Sequence, residues 1–228
     1  MTAHTADNSL LNHSVGDLAA TIPGATAVFR EHRIDFCCGG EAPLAEAAER
    51  FGADAKVVDE KLQELAANTD GAVAASSMSS EDLIDHIVNH YHASHRRTIP
   101  ELVALSRKVE QVHSAHPKVP AGLADLLSKM QAEMDEHMGK EEAVMFPAMR
   151  RQAAGSQNEG IGELRHEHDD QGEILHEMEH LTDMFAVPPE ACSSWKALYM
   201  QTGQLVEDVM QHIHLENNVL FPRFTAAA

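Results

Sequence analysis

The chain has 228 residues, enough to bury a sizeable core without staples, in one large domain or two modest ones. Apolar residues are 43% of it but aromatics only 4%, and Ala, Leu, Met, Glu and Gln crowd out β-branched types, a balance that suits helices rather than sheets. Lys plus Arg is 17 against 36 for Asp plus Glu, so the net charge is -19: such a surface repels phosphate backbones and anionic lipid, which excludes nucleic acid and membrane surfaces as partners but still favours cations.

Met1 to His13 is polar, with no basic and no apolar stretch, so no signal peptide is expected. From about Ser14 to Ala67 four short helices are predicted. Ser14 caps the first, and Pro23 opens a second that carries Ala27, Val28 and Phe29. Pro43 opens a third, Leu44 to Phe51, closed by Gly52, and Asp54 caps a fourth with Val57, Val58, Leu62 and Leu65 on one stripe. Asn68 to Ser80 is small, polar and without period, and reads as a linker. The domain boundary therefore falls there, giving a small helical domain over 1–75 and a second domain over 76–228.

Ser79 with Asp82 resembles a capping box and starts helix A, which runs to about Val112 with Pro100 kinking it or ending its first half. Helix B is expected from about Ala121 to Arg151, and Ala154 to Gly160 as a loop. Helix C follows over about Ile161 to Met184, and after Pro188-Pro189 helix D runs over about Glu190 to Asn218. Four long helices in antiparallel order make an up-down four-helix bundle, so the fold class is all-α. No apolar run reaches the ~18–20 residues that a membrane-spanning helix needs.

Histidine is unusually frequent, with 16 in the chain, and a repeat explains where several of them lie. His137-x-x-x-Glu141-x-x-Val144-Met145-Phe146-Pro147 matches His212-x-x-x-Glu216-x-x-Val219-Leu220-Phe221-Pro222 at an offset of 75 residues, and His92 and His168 stand 76 apart on helices A and C. The pattern is that of a duplicated helical hairpin, each copy giving one His and one His-x-x-x-Glu. At ~100° per residue, His137 and Glu141 share a stripe with Leu123, Leu126, Met130, Met134, Val144 and Ala148. His212 and Glu216 share one with Leu198, Leu205, Val209 and Val219, and His168 aligns with Ile161, Leu164 and Leu175. On helix A the wheel admits both His92 and His95, and only the repeat offset favours His92.

Unpaired, each such buried group would cost roughly 2–7 kcal/mol, so a metal is the economical compensation. Imidazoles with carboxylates and no thiolate suit Fe, Mn or Zn, and six ligands are too many for one tetrahedral zinc. They fit two metals, each with two imidazoles and both bridged by the glutamates, leaving positions for an oxo bridge, water or a diatomic gas. A di-iron site is the reading. His86, His90, His166 and His214 are expected in solvent, and Met130, Met134 and Met145 in the core. Glu133 and Asp208 are candidate partners for the ligating imidazoles, or simply solvated carboxylates.

The three cysteines, Cys37, Cys38 and Cys192, are too few and too oddly placed for a secreted disulfide framework, which points to the cytoplasm. Cys37-Cys38 precedes the helix opened by Pro43, whose N-terminus would lower a thiol pKa and suit a redox or metal-transfer role. Composition alone favours two small buried residues instead. Cys192 reads as structural.

Phe36-Cys37-Cys38-Gly39-Gly40, followed by a His-rich bundle ending Leu215-Glu216-Asn217-Asn218-Val219-Leu220-Phe221-Pro222, resembles the repair-of-iron-centres family of di-iron proteins, over about Ser14 to Phe224. The bundle half is similar to haemerythrin-like domains in general. The resemblance implies a non-haem di-iron centre in a cytoplasmic protein that takes part in repairing iron–sulfur clusters damaged by nitric oxide or peroxide. It implies His92, His137, Glu141, His168, His212 and Glu216 as metal ligands, choosing His92 over His95, and gives Cys37 and Cys38 a functional role.

The expected function is therefore iron donation to damaged iron–sulfur proteins or a cluster scaffold, with the two thiols receiving or passing on iron or electrons. Reduction of NO at the open iron positions would make the protein an enzyme. A haemerythrin-like carrier of O2 or NO, a redox sensor, or a bundle with structural zinc are the alternatives, and paired thiols are of no use to a carrier. Two-domain layout leaves apolar faces that a homodimer would cover.

Overall fold

The computed structural model describes residues 9–68, 74–151 and 158–225. Parts of the expected linker and of the expected loop at Ala154 to Gly160 lie outside the described residues, as does most of Met1 to His13. Among the described residues the regular structure is helical, and the only extended pairing is an isolated bridge between Ser14 and Pro43. The chain divides into two compact units: Met1–Leu83 with Ile213–Arg223, and Ile84–His212 with Phe224–Ala228.

The first unit holds α1 (Val15–Thr21), α2 (Ala25–Glu31), α3 (Leu44–Arg50) and α4 (Ala55–Ala67). The Ser14 hydroxyl accepts from Asp17 N at 3.1 Å, and the Asp54 carboxylate accepts from Lys56 N at 3.0 Å, so each side chain satisfies an N–H that its helix cannot. Val15, Phe29, Phe36, Leu44, Val58 and Leu62 make the core of this unit. Gly40 packs so closely on the Asn218 carboxamide that a Cβ there would collide with it.

Further along, α5 (Ser80–His86) opens on Ser79, whose hydroxyl accepts from Asp82 N at 3.1 Å and donates to the Asp82 carboxylate at 2.6 Å. It leads through a π-helical turn, Ile87–His92, into α6 (Ala93–Val112). Next, α7 (Leu123–Lys140) leads through Glu141–Met145, again π-helical, into α8 (Phe146–Arg150). After α9 (Asn158–Leu181), α10 (Ser193–His214) continues as the π-helical Leu215–Leu220. The long helices form the expected up-down bundle, and Leu102, Leu127, Met130, Met134, Met178, Leu198 and Val209 fill its core. Pro100 does not end α6; it lies on the exposed face, where the carbonyl it cannot pair with can be hydrated.

The π-helical turns correct the helical wheel. Val144, expected on the inward stripe, is 61% exposed, whereas Met145 is buried. A π turn holds one residue more than an α turn, so it rotates everything beyond it. Two of these turns end just before Phe146-Pro147 and Phe221-Pro222. Proline has no N–H for the carbonyl four residues back and its ring crowds that carbonyl, so a widened turn relieves the clash.

Candidate metal centre

Each π-helical turn carries a residue of the expected site: His92 ends the first, Glu141 opens the second and Glu216 lies in the third. His137 stands one turn before Glu141, His212 one turn before Glu216, and His168 in the middle of α9. All six side chains are at most 1% exposed. Their donor atoms fall into two groups, each within 4.8 Å: His92, Glu141, His212 and Glu216, and His137, Glu141, His168 and Glu216. Both glutamates stand in both groups.

Within the first group, His92 Nε2 lies 3.2 Å from His212 Nε2 and 3.3 Å from Glu141 Oε2. In the second, His137 Nε2 lies 3.1 Å from His168 Nε2 and 3.5 Å from the same Glu141 oxygen. His95 is buried too, but its ring packs 5.3 Å from that of His212 and it is in neither donor group. The wheel could not separate it from His92 because the two stand three residues apart, about 60° on the wheel, and both are buried.

The other ring nitrogens of His92 and His137 meet carboxylates that are not among the expected candidates. His92 Nδ1 donates to Glu142 at 2.7 Å, and Glu142 also takes the Arg96 guanidinium at 2.7 Å. His137 Nδ1 donates to Glu167 at 2.7 Å, and Glu167 is held by Lys140. Burial pushes both carboxyls up, but the hydrogen bonds and charges of Arg96 and His92 on Glu142, and of Lys140 and His137 on Glu167, outweigh it and hold both low. A carboxylate on Nδ1–H fixes the tautomer that presents the Nε2 lone pair inward. The expected candidates are engaged elsewhere: Glu133 with Lys129 at 3.8 Å and Asp208 with Gln204 at 3.0 Å. Glu142→Gln and Glu167→Gln should each weaken metal binding roughly 10–100-fold without unfolding the bundle, measured by competition with a chelator; unchanged affinity would show the carboxylates to be bystanders.

Aromatic rings close over the cluster. Tyr91 stacks on His212 at 5.6 Å and Phe146 on His92 at 5.9 Å, which keeps water from the imidazoles. Burial, aided by the charge of Asp208, raises the Tyr91 hydroxyl to about 12. His166 and His90 are exposed as expected, and His86 is half-buried with its ring stacked on His90. His214, expected in solvent, is completely buried. Its ring packs on Phe36 at 5.6 Å, Asn218 Nδ2 lies 3.1 Å from its Nδ1, and burial pushes its pKa down to about 4 against the pull of the Phe36 and Ala19 carbonyls.

Cys37 is buried and Cys38 half-buried, and neither forms a disulfide. The Asp35 carboxylate folds the loop around itself: one oxygen accepts from Cys37 N and Cys38 N, both at 3.0 Å, the other from Gly39 N at 3.0 Å. The Cys37 thiol donates to Asp35 at 3.3 Å and its sulfur lies 3.8 Å from that of Cys38. The expected lowering of a thiol pKa is not found at Cys37. The hydrogen bond with Cys38, burial and the negative charge of Asp35 all push it well up. The N–H groups of Cys37, Cys38 and Gly39 all point at Asp35. Asn217 Nδ2 donates to the Cys37 carbonyl at 3.2 Å and Asn218 Nδ2 to that of Phe36 at 3.0 Å. Cys192 does not fill a core either; it is exposed, 3.1 Å from His113 Nε2.

A helical bundle closed around paired histidines and shared glutamates is a haemerythrin-like architecture, and residues 83–224 match the family described as the hemerythrin HHE cation binding domain. Residues 11–66 match a second family, a domain of unknown function, DUF542. The iron-sulfur cluster repair protein YtfE of Citrobacter koseri is 43% identical over 219 residues, covering 96% of this chain and 99% of the relative. The protein of the same name from Escherichia coli O157:H7 is 45% identical over 213 residues, covering 93% and 96%. The chain belongs to this family of iron–sulfur cluster repair proteins, the one that its cysteine loop and His-rich bundle resemble. Among the described residues no helix is long and apolar enough to cross a membrane.

Proposed function

We propose that the buried cluster holds two irons, one on His92 and His212, the other on His137 and His168, with Glu141 and Glu216 shared between them, and that the protein gives up this iron to repair damaged iron–sulfur clusters. The observation that carries the reading is the presence of both glutamates in both donor groups. The donors fit the metal: imidazole and carboxylate without thiolate suit a first-row ion such as iron. The His–His separations of 3.1 and 3.2 Å fit as well, since two nitrogens at about 2.1 Å from one ion and at right angles are about 3.0 Å apart.

Iron is the cargo on this reading. A shared carboxylate can fall back on one ion as the other leaves, which lets the site empty in steps. The recipients are iron–sulfur proteins damaged by nitric oxide or oxidants, or a scaffold that rebuilds their clusters, in the cytoplasm. Cys37 and Cys38 receive the iron from the bundle.

Protein purified without oxygen should contain two irons per chain by elemental analysis. Mixed with a cluster protein damaged by nitric oxide, it should lose iron as the recipient regains its cluster absorbance, and chelated protein should restore nothing. Zinc in well-folded protein, or iron that stays put while the recipient remains damaged, would overturn the proposal.

A further inference from the structure

The loop from Asp35 to Gly40 gathers three metal-ligating side chains outside the bundle. Asp35, Cys37 and Cys38 each place a donor atom within 4.8 Å of the other two. The two sulfurs are 3.8 Å apart. A disulfide would need about 2.05 Å, whereas two thiolates on one tetrahedral ion at about 2.3 Å lie about 3.8 Å from each other. The spacing is that of two ligands of one ion.

The loop is also held in this shape before anything binds. Three backbone N–H groups fix the Asp35 carboxylate, and Asn217 and Asn218 hold the carbonyls of Cys37 and Phe36 from the other side. Gly40 lies against Asn218 with no room for a side chain. A site whose ligands are already placed loses little affinity to ordering. Cys38 is half-buried, which keeps a bound ion open to exchange. The two asparagines directly follow Glu216, so the loop is tied to the helical turn that carries a shared ligand of the bundle.

We infer that Asp35, Cys37 and Cys38 form a second cation site, for a single thiophilic divalent ion such as ferrous iron or zinc. Binding releases the two thiol protons to solvent as the sulfurs become ligands, and no electron moves. The inference deepens the proposed part of Cys37 and Cys38 in iron transfer: it makes the pair a ligand set, with Asp35 as its third member, rather than a disulfide couple.

Cobalt(II), added without oxygen to the full-length protein, tests it. Cobalt in excess of the two ions that the bundle takes should produce the intense sulfur-to-cobalt charge-transfer absorption that a site of imidazoles and carboxylates alone does not give. Cys37→Ser and Cys38→Ser should each abolish it, and Cys192→Ser should leave it intact. Asp35→Asn keeps an oxygen for the amides of Cys37 and Cys38 but loses the charge, and should weaken cobalt binding roughly tenfold or more. On the wild type, zinc should protect Cys37 and Cys38 from alkylation but not Cys192, read by mass spectrometry, so the result does not depend on any variant folding. Absence of the absorption, its survival in either loop serine variant, or equal alkylation with and without zinc would overturn the site. Undiminished affinity in Asp35→Asn would reject the three-donor assignment. Iron content of the bundle and cluster repair are read separately, so failure here is distinguishable from failure of the bundle reading.

Discussion

Glu141→Ala is expected to cost the chain both irons, whereas His168→Ala should cost it one. The difference follows from the donor groups: Glu141 stands in both and His168 in one. Elemental analysis of protein purified without oxygen reads this directly. Stability should follow the metal, because an ion that binds only the folded chain adds about 2.7 kcal/mol when its free concentration is 100 times its Kd. For a protein of this size each kcal/mol moves Tm by roughly 2–4 °C. Two such ions should therefore raise the wild-type Tm by roughly 10–20 °C over the chelated protein. The Glu141→Ala protein should melt at one temperature with or without iron. A variant that still holds one iron, or whose Tm still responds to iron, would mean that Glu141 serves a single ion.

Acid should destabilise the chelated protein through His214. Folded, this imidazole stays neutral down to about pH 4, because it is buried; unfolded, it takes a proton near its ordinary pKa of about 6.5. Between those values the unfolded chain binds more protons, so stability falls as the pH falls from about 6.5 and stops falling on this account below about 4. The full interval amounts to about 3 kcal/mol. Denaturant unfolding of His214→Gln at pH 7 and near pH 4.5 should show a shallower loss than the wild type, whatever the variant's stability at neutral pH. Parallel losses would show that His214 is not the group responsible.

The metal cluster was legible because duplication writes the same words twice. The 75-residue offset between His137-x-x-x-Glu141 and His212-x-x-x-Glu216 marks the cluster in the sequence alone. What a uniform wheel could not supply was the extra residue in each π turn, hence the misplaced Val144; His92 and His95 tied because residues three apart differ by only about 60°. The Phe-Pro pairs after two of those turns were a readable trace of it. Glu142 and Glu167 escaped notice for another reason. Each neighbours a ligand in sequence, which puts it about 100° off the inward stripe of its own helix, and each meets an imidazole of a different helix. Pairings of that kind belong to the bundle and not to any one segment. His214 was misread similarly: its wheel angle faces away from the bundle core, and the surface that covers it, around Phe36, lies in a sequence some 180 residues earlier.

The unit that contains the cysteine loop is discontinuous in sequence, since Ile213–Arg223 belongs to it as much as Met1–Leu83 does. Arg223 donates to the carbonyls of Met78 and Ser76, and Asn218 and His214 both engage Phe36. A gene fragment cut at the linker thus leaves Ile213–Arg223 behind. Moved to another protein as an N-terminal cassette, the cysteine loop would lose the hydrogen bonds from Asn217 and Asn218 unless it travelled with the helical turn that follows His212, as in a circular permutant that joins the two. Recombination at the linker, which the sequence makes look harmless, would separate Asn217 and Asn218 from the loop they hold.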